Sequence, residues 1–284
     1  MKPGQAQNSQ SPRAAPYQAE RPFSETDAAM LSPEELERYA RHIVLKEIGG
    51  PGQQALKRAR VLIVGAGGLG SPAALYLAAA GAGAIILADD DAVSLNNLQR
   101  QILFTTDEAG APKAETGAAR LGALNPHVAV ETITERLDAA GAAEAVARAD
   151  IVLDGSDNYE TRFAVNAACH AAGKPLVSGA VERFSGQVAV FRSGLTKEAE
   201  ARPPCYRCLV PDIPPDAETC AQIGVAGPAA GVIGSWMALE AIKLITGAGK
   251  PLDGRLAIFD GLAGTARTIA LPPDPACPVC GGDA

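Results

Sequence analysis

Short apolar runs alternate along this chain with longer stretches whose apolar residues recur at helical spacing. The runs are Arg60–Val64, Ala84–Ala88, Val128–Ile133, Ile151–Asp154 and Pro175–Ser178. Between them lie Ser71–Ala80, Lys113–Leu124, Ala139–Arg148 and Tyr159–Ala172, which read as helices. Alternation at this pace predicts an α/β fold, a Rossmann-like doubly wound sheet with mostly parallel strands.

The rhythm changes after Gly179. Gly186–Phe191 reads as a strand of an antiparallel C-terminal extension, Leu256–Asp260 as a last strand, and Val225–Ile245 as a buried helix interrupted by glycines. Residues 193–221 carry prolines at 203, 204, 211, 214 and 215 and read as a long loop, a kind that is commonly functional. At the other end, residues 1–30 are rich in Gln, Ser, Pro and Ala and are expected to form a disordered tail. Ordered structure should begin at Ser32-Pro33-Glu34-Glu35, where Ser32 and Glu35 can form a capping box and Pro33 suits the first helical position. The helix it opens is expected to stop at Gly49-Gly50-Pro51-Gly52. The organisation expected is a tail over 1–30 and one ordered domain over 31–284. Within that domain, 60–180 would bind a nucleotide and 181–284 would form a second part.

Composition narrows the partners. The 284 residues hold 25 Lys plus Arg against 32 Asp plus Glu, a net charge of −7, without basic runs. That balance argues against nucleic acid or an anionic membrane as the main partner. Residues 1–30 have no apolar core, so no secretion signal is expected. Val61–Ala88 and Thr219–Leu239 are uncharged over long windows, but glycines and a proline interrupt each, and neither reads as a membrane span. The expected location is the cytoplasm.

Candidate chemistry begins at Gly65-x-Gly67-Gly68-x-Gly70, set between a predicted strand and a predicted helix. Glycines there let the backbone approach an anion, and the helix start supplies N–H groups. Asp89 ends the next strand, where a carboxylate can accept hydrogen bonds from a ribose. A dinucleotide and ATP would both suit these features. The following segment, Ser94-Leu95-Asn96-Asn97-Leu98-Gln99-Arg100-Gln101, favours ATP. Asn97 and Arg100 share a face of a helical turn, and Lys113 follows at a helix start. A triphosphate needs such cations along its length, whereas hydride transfer does not. Taken alone, Arg100 and Lys113 could equally be solvated surface cations. Asp154-Gly155-Ser156-Asp157-Asn158 closes the fourth strand, at the sheet edge where ligands bind in open parallel sheets. Asp157 can hold Mg²⁺ there, or the segment can be an Asx turn capping the helix at Tyr159.

Four of the six cysteines form two C-x-x-C pairs, Cys205/Cys208 and Cys277/Cys280. Two such pairs read as one four-thiolate zinc site tying the C-terminal end to the middle of the chain, with a redox pair or unrelated thiols as the other reading. His42, His127 and His170 are most simply surface residues or satisfied helix residues.

The stretches GAGGLG, ADDDAVSLNNLQRQ, DGSDN, PCYRC, ETC and CPVCG, in this order, resemble the MoeB/ThiF/HesA family, bacterial relatives of ubiquitin-activating enzymes. The resemblance spans about residues 33–281 and is greatest to the family's molybdopterin-synthase branch. It implies an ATP-dependent adenylyltransferase, acting on the C-terminal glycine of a ubiquitin-like sulfur carrier with a Gly-Gly end, of the MoaD or ThiS kind, in molybdopterin or thiamine synthesis. Residues 181–284 would then bind the carrier and zinc. Carried over residue by residue, Gly68 belongs to the phosphate turn and Asp89 to the ribose. Asn96, Asn97, Arg100 and Lys113 border the phosphates, and Asp157, beside Asn158, is the essential acid near Mg²⁺. Arg41 would reach ATP from the second subunit of a homodimer; the chain departs from the family by having His42 after it, where Gln is usual. Cys205, Cys208, Cys277 and Cys280 match the family's zinc ligands. Cys220 matches the position linked to a thioester or persulfide with the carrier, a role that a buried, inert cysteine would not have. No rhodanese-like stretch follows residue 281, so the chain is not expected to supply sulfur itself. Two rival readings remain at this point, a nicotinamide-dependent oxidoreductase on the same fold and a non-catalytic binder of a ubiquitin-like tail.

Overall fold

The β-branched run Arg60–Val64 forms the first strand (β1) of a sheet that the rest of the chain builds outward in both directions. The computed structural model describes residues 30–195, 202–213 and 224–281. Its strands are β1, β2 (Ala84–Ala88), β3 (Ala129–Ile133), β4 (Ile151–Asp154), β5 (Leu176–Glu182), β6 (Ser185–Phe191), β7 (Arg255–Asp260) and β8 (Thr265–Ala270). They lie in the order β3-β2-β1-β4-β5-β6-β7-β8. The first five are parallel, and β5 to β8 pair antiparallel. The reversal of strand order at β1 and β4 is the switch point where doubly wound sheets bind ligands.

The helices are α1 (Pro33–Arg38), α2 (Ala40–Ile43), α3 (Gly49–Arg58), α4 (Gly70–Ala79), α5 (Lys113–Leu124), α6 (Ala139–Ala147), α7 (Tyr159–Ala172), α8 (Tyr206–Leu209) and α9 (Gly227–Thr246). Alternate residues of β1 serve two cores. Val61 and Ile63 pack with Leu77, Ile85, Ile233 and Met237 on one face of the sheet. Leu62 and Val64 pack with Ile86, Val146, Val152 and Val165 on the other. Such two-sided burial explains why these strands read as unbroken apolar runs.

Three details differ from the expectation. The Gly49–Gly52 run opens α3 instead of closing the first helix. Pro51 lies in the first turn, where backbone N–H groups have no intrahelical acceptor, so its missing N–H costs nothing. The break falls earlier, at Tyr39, whose ring is buried and whose hydroxyl accepts from Asn125 Nδ2 at 2.8 Å. The long loop contains α8, which begins directly after Cys205. An eighth strand, β8, runs exposed along the sheet edge, and exposure deprived it of the apolar pattern that marks a buried strand.

The N-terminal capping box is present. Ser32 Oγ accepts from Glu35 N, and Glu35 Oε2 accepts from Ser32 N at 2.7 Å and from Lys57 Nζ at 2.7 Å. Ser32→Ala should therefore lower stability by about 1 kcal/mol, read as a shift in the urea midpoint at constant slope.

Among the described residues, α9 alone is long and apolar enough to cross a membrane by length and composition, and half of it is buried inside the fold. It packs on α3, α4, β5 and β6. The buried Glu240 pairs with Lys243 Nζ at 2.6 Å and accepts from Leu252 N at 2.9 Å.

Candidate active site

A cavity of about 410 Å³ opens beyond the carboxyl ends of β1, β2, β4 and β5. Its floor is the turn from Gly65 to Gly70. Gly65 has φ +86°, a left-handed conformation that disfavours any side chain. A Cβ on Gly70 would overlap the Gly65 carbonyl oxygen, so α4 can start this close to β1 only with glycine there. Gly65, Gly67 and Gly68 line the cavity, whereas Gly70 is buried beneath it.

Asp89 is fastened to this turn. Its Oδ2 accepts from Ala66 N at 2.7 Å and its Oδ1 from Asp91 N at 3.0 Å. Burial pushes the Asp89 carboxyl up, opposed by the Lys113 ammonium and by those two N–H groups. Lys113, 4% exposed, lies 3.8 Å from Asp89 Oδ1 and 2.7 Å from Asp91 Oδ2. A buried cation thus reaches the cavity with carboxylates as its present partners. Arg100 is aimed by the segment before it, donating to Asn97 Oδ1 at 2.8 Å and to the Asn96 carbonyl at 3.2 Å. Asn96 and Asn97 themselves are not lining residues. Asn96 Oδ1 accepts from Ser94 Oγ, so both asparagines act here on Arg100 and on the local turn.

The two aspartates after β4 have separate surroundings. Asp154 is buried, and its Oδ1 accepts from Ser156 N at 3.0 Å and from Ser156 Oγ at 2.6 Å. Asp157 is exposed at the cavity mouth and has no hydrogen bond or ion pair among the described residues. Asn158 borders the cavity while capping α7, its Oδ1 accepting from Thr161 N at 2.9 Å.

Three further lining residues escaped the sequence reading. Arg162 is buried and donates to the carbonyls of Ser156 and Gly179 and to Ser178 Oγ. Tyr206, between Cys205 and Cys208, brings a ring to the cavity wall. Gln101 is buried, with Oε1 unpartnered among the described residues. Arg162 lies five residues beyond Asp157 and Gln101 adjoins Arg100, but nothing local distinguishes either from an ordinary polar residue. Arg41 is exposed on α2 and does not line this cavity. Cys220 lies outside the described residues. His42 meets Gln53 and His170 meets Ser193, each through Nδ1.

The two C-x-x-C pairs converge 72 residues apart in sequence. The four Sγ atoms of Cys205, Cys208, Cys277 and Cys280 all lie within 4.8 Å of one another, so the cluster can hold a metal ion. Asp274 N also donates to Cys208 Sγ at 3.3 Å. Burial lifts the Cys205 thiol to about 11 although the Asn166 amide lowers it. Cys277 is drawn down to about 7: burial raises it, but the N–H groups of Cys280 and Val279 and the Cys205 and Cys280 side chains together outweigh that.

A glycine turn, a ribose-height carboxylate and converging cations at a doubly wound sheet's switch point define a nucleotide-binding protein built for phosphate chemistry. The ThiF family profile matches residues 39–279, and the chain belongs to the ThiF family. It is 49% identical to the sulfur carrier protein ThiS adenylyltransferase of Escherichia coli K12, over 86% of this chain and 95% of that one. It is 46% identical to the molybdopterin-synthase adenylyltransferase of the same organism, over 89% of this chain and 99% of that one. Among solved structures it resembles E. coli MccB with ATP, with TM-score 0.72 and 25% identity over 86% of this chain and 73% of the other.

Proposed function

We propose that this protein is an ATP-dependent adenylyltransferase that activates the C-terminal glycine of a ubiquitin-like sulfur carrier. The observation carrying this reading is that one cavity gathers the glycine turn, Asp89, Arg100, Lys113 and Asp157 in a chain so close to two carrier adenylyltransferases.

The chemistry needs no general base. A carboxylate is ionised at neutral pH, and one of its oxygens attacks the α-phosphorus. The bond from that phosphorus to the oxygen shared with the β-phosphate breaks, and pyrophosphate leaves with the electron pair. The barrier is anion meeting anion, plus the charge on the leaving group, and placed cations lower both parts. Backbone N–H groups of the Gly65–Gly70 turn and the start of α4 receive phosphate oxygens. Asp89 accepts from the ribose. Arg100 and Lys113 neutralise the phosphates, Lys113 turning from Asp91 to do so.

An unpaired carboxylate at the cavity mouth suits a hard cation, so Asp157 would hold Mg²⁺, which when bound neutralises phosphate charge. Four gathered thiols suit tetrahedral zinc, held by Cys205, Cys208, Cys277 and Cys280 in a structural site. Thiols gathered this way also fit a reducing, cytoplasmic compartment.

The exposure of Arg41, with Val44 and Leu45 exposed beside it, supports a homodimer in which Arg41 completes the partner's site. Arg41→Ala and Asp157→Ala chains, each inactive alone, should regain part of the activity when mixed. No recovery would mean that the site is built within one chain.

Calorimetry and thermal shift test the nucleotide reading. ATP with magnesium should raise the melting temperature and NADH should not. The opposite result would favour hydride chemistry.

A further inference from the structure

The metal module reaches into the nucleotide cavity, and one asparagine stands at the junction. Cys205 and Cys208 bracket Tyr206 and Arg207. The Tyr206 ring lines the cavity with the Arg162 guanidinium 5.8 Å from its centre. The Arg207 guanidinium lies 4.2 Å from the centre of the Phe163 ring. Arg162, Phe163 and Asn166 share the face of α7 that meets α8, at spacings of three and four. The same helix begins just after Asp157 and Asn158.

Asn166 is 1% exposed. Its Oδ1 accepts from Tyr206 N at 2.8 Å. Its Nδ2 is buried without a hydrogen-bond partner among the described residues, and its carboxamide lies against the backbone that joins Cys205 to Tyr206. A neutral thiol is a weak acceptor, whereas a metal-bound thiolate is a good one, so a metal ion would supply what Nδ2 lacks. Outer partners of this kind orient ligands and tune affinity.

We propose that Asn166 is a positioning residue that couples metal occupancy at the four thiols to nucleotide binding. Its amide fixes the Cys205 thiolate, and its carbonyl fixes the Tyr206 backbone and, through the ring, Arg162 at the cavity wall. The inference rests on the ATP reading above. Coupling of this kind is reciprocal, so bound metal strengthens ATP binding by the same factor as bound ATP strengthens metal binding.

Two measurements on the full chain test it. Zinc release to a chromophoric chelator is timed, and ATP binding is measured by calorimetry before and after zinc is stripped. In wild type, stripping should weaken ATP binding by roughly 5–150-fold. Asn166→Asp keeps the acceptor for Tyr206 N but places an oxygen where Nδ2 stood. This variant should release zinc about 10–100-fold faster than wild type. Release at the wild-type rate, no zinc in the wild-type protein, or ATP affinity unchanged by stripping would each overturn the proposal. Should Asn166→Asp fail to give a cooperative melting curve, Asn166→Ser, which also removes the Nδ2 donor, takes its place, and zinc release at the wild-type rate from it overturns the proposal. If zinc-loaded wild type binds no ATP, the adenylation reading fails, while zinc release from the variant still judges the role of Asn166 at the metal.

Discussion

Asp157→Ala should reduce carrier-dependent ATP–pyrophosphate exchange by at least about 10²–10³-fold while leaving the fold intact. The two halves of this expectation have different causes. Asp157 is exposed and makes no hydrogen bond or ion pair among the described residues, so removing its carboxylate breaks none there. Stability should stay within about 0.5 kcal/mol of wild type, as for other surface changes away from special features. The loop that carries it is held independently by Asp154, through Ser156. Activity falls because the carboxylate at the cavity mouth is where a cation on the phosphates would be held. Exchange assays and urea melts on one preparation check both halves. Loss of both together would make Asp157 a structural residue.

The largest effect on stability should come from Cys277→Ser. Removing one of the four thiols proposed to hold zinc opens the link between α8 and the C-terminal segment. Among the described residues, Cys205, Cys277 and Cys280 form their own small hydrophobic cluster, with Cys208 and Val279 packed against it. Zinc content should drop from one ion per chain to near zero. Stability should fall by about 4 kcal/mol or more, the range of lost metals and broken buried networks. Metal analysis and denaturant unfolding read the two quantities. An unchanged melting curve in a zinc-free variant would show that the four thiols do not hold the module.

Local signals made most of the sheet legible. Strands buried on both faces announce themselves as apolar runs, and β1, β2 and β4 fall at the residues where those runs lie. β8 was invisible because all its side chains are exposed, so nothing selects an apolar alternation. The turn before it is built by Gly264 with φ +66° and by the Asp260 carboxylate accepting from Leu262 N and Ala263 N. The Gly49–Gly52 run misled because glycine and proline mark helix starts as well as stops.

In the candidate site, the structure brings several motif residues to one cavity. Gly65, Asp89, Arg100, Lys113 and Asp157 surround one space because each sits just past the carboxyl end of a strand, in the connection that leaves it, or at the start of the helix that follows. Arg162, Asn166 and Tyr206 were not legible. Their meaning depends on α8 packing against α7, a contact between segments some forty residues apart that no local pattern encodes. Asn96 and Asn97 show the reverse case, motif residues whose side chains serve Arg100 and the turn instead of lining the cavity.

The account is tested most directly by incubating the purified protein with ATP, magnesium and a Gly-Gly-ended carrier, then weighing the carrier by mass spectrometry. It predicts a carrier heavier by one adenylyl group, with one pyrophosphate released for each, and no such species when the terminal glycine is removed. A carrier of unchanged mass beside protein that has bound ATP would contradict it.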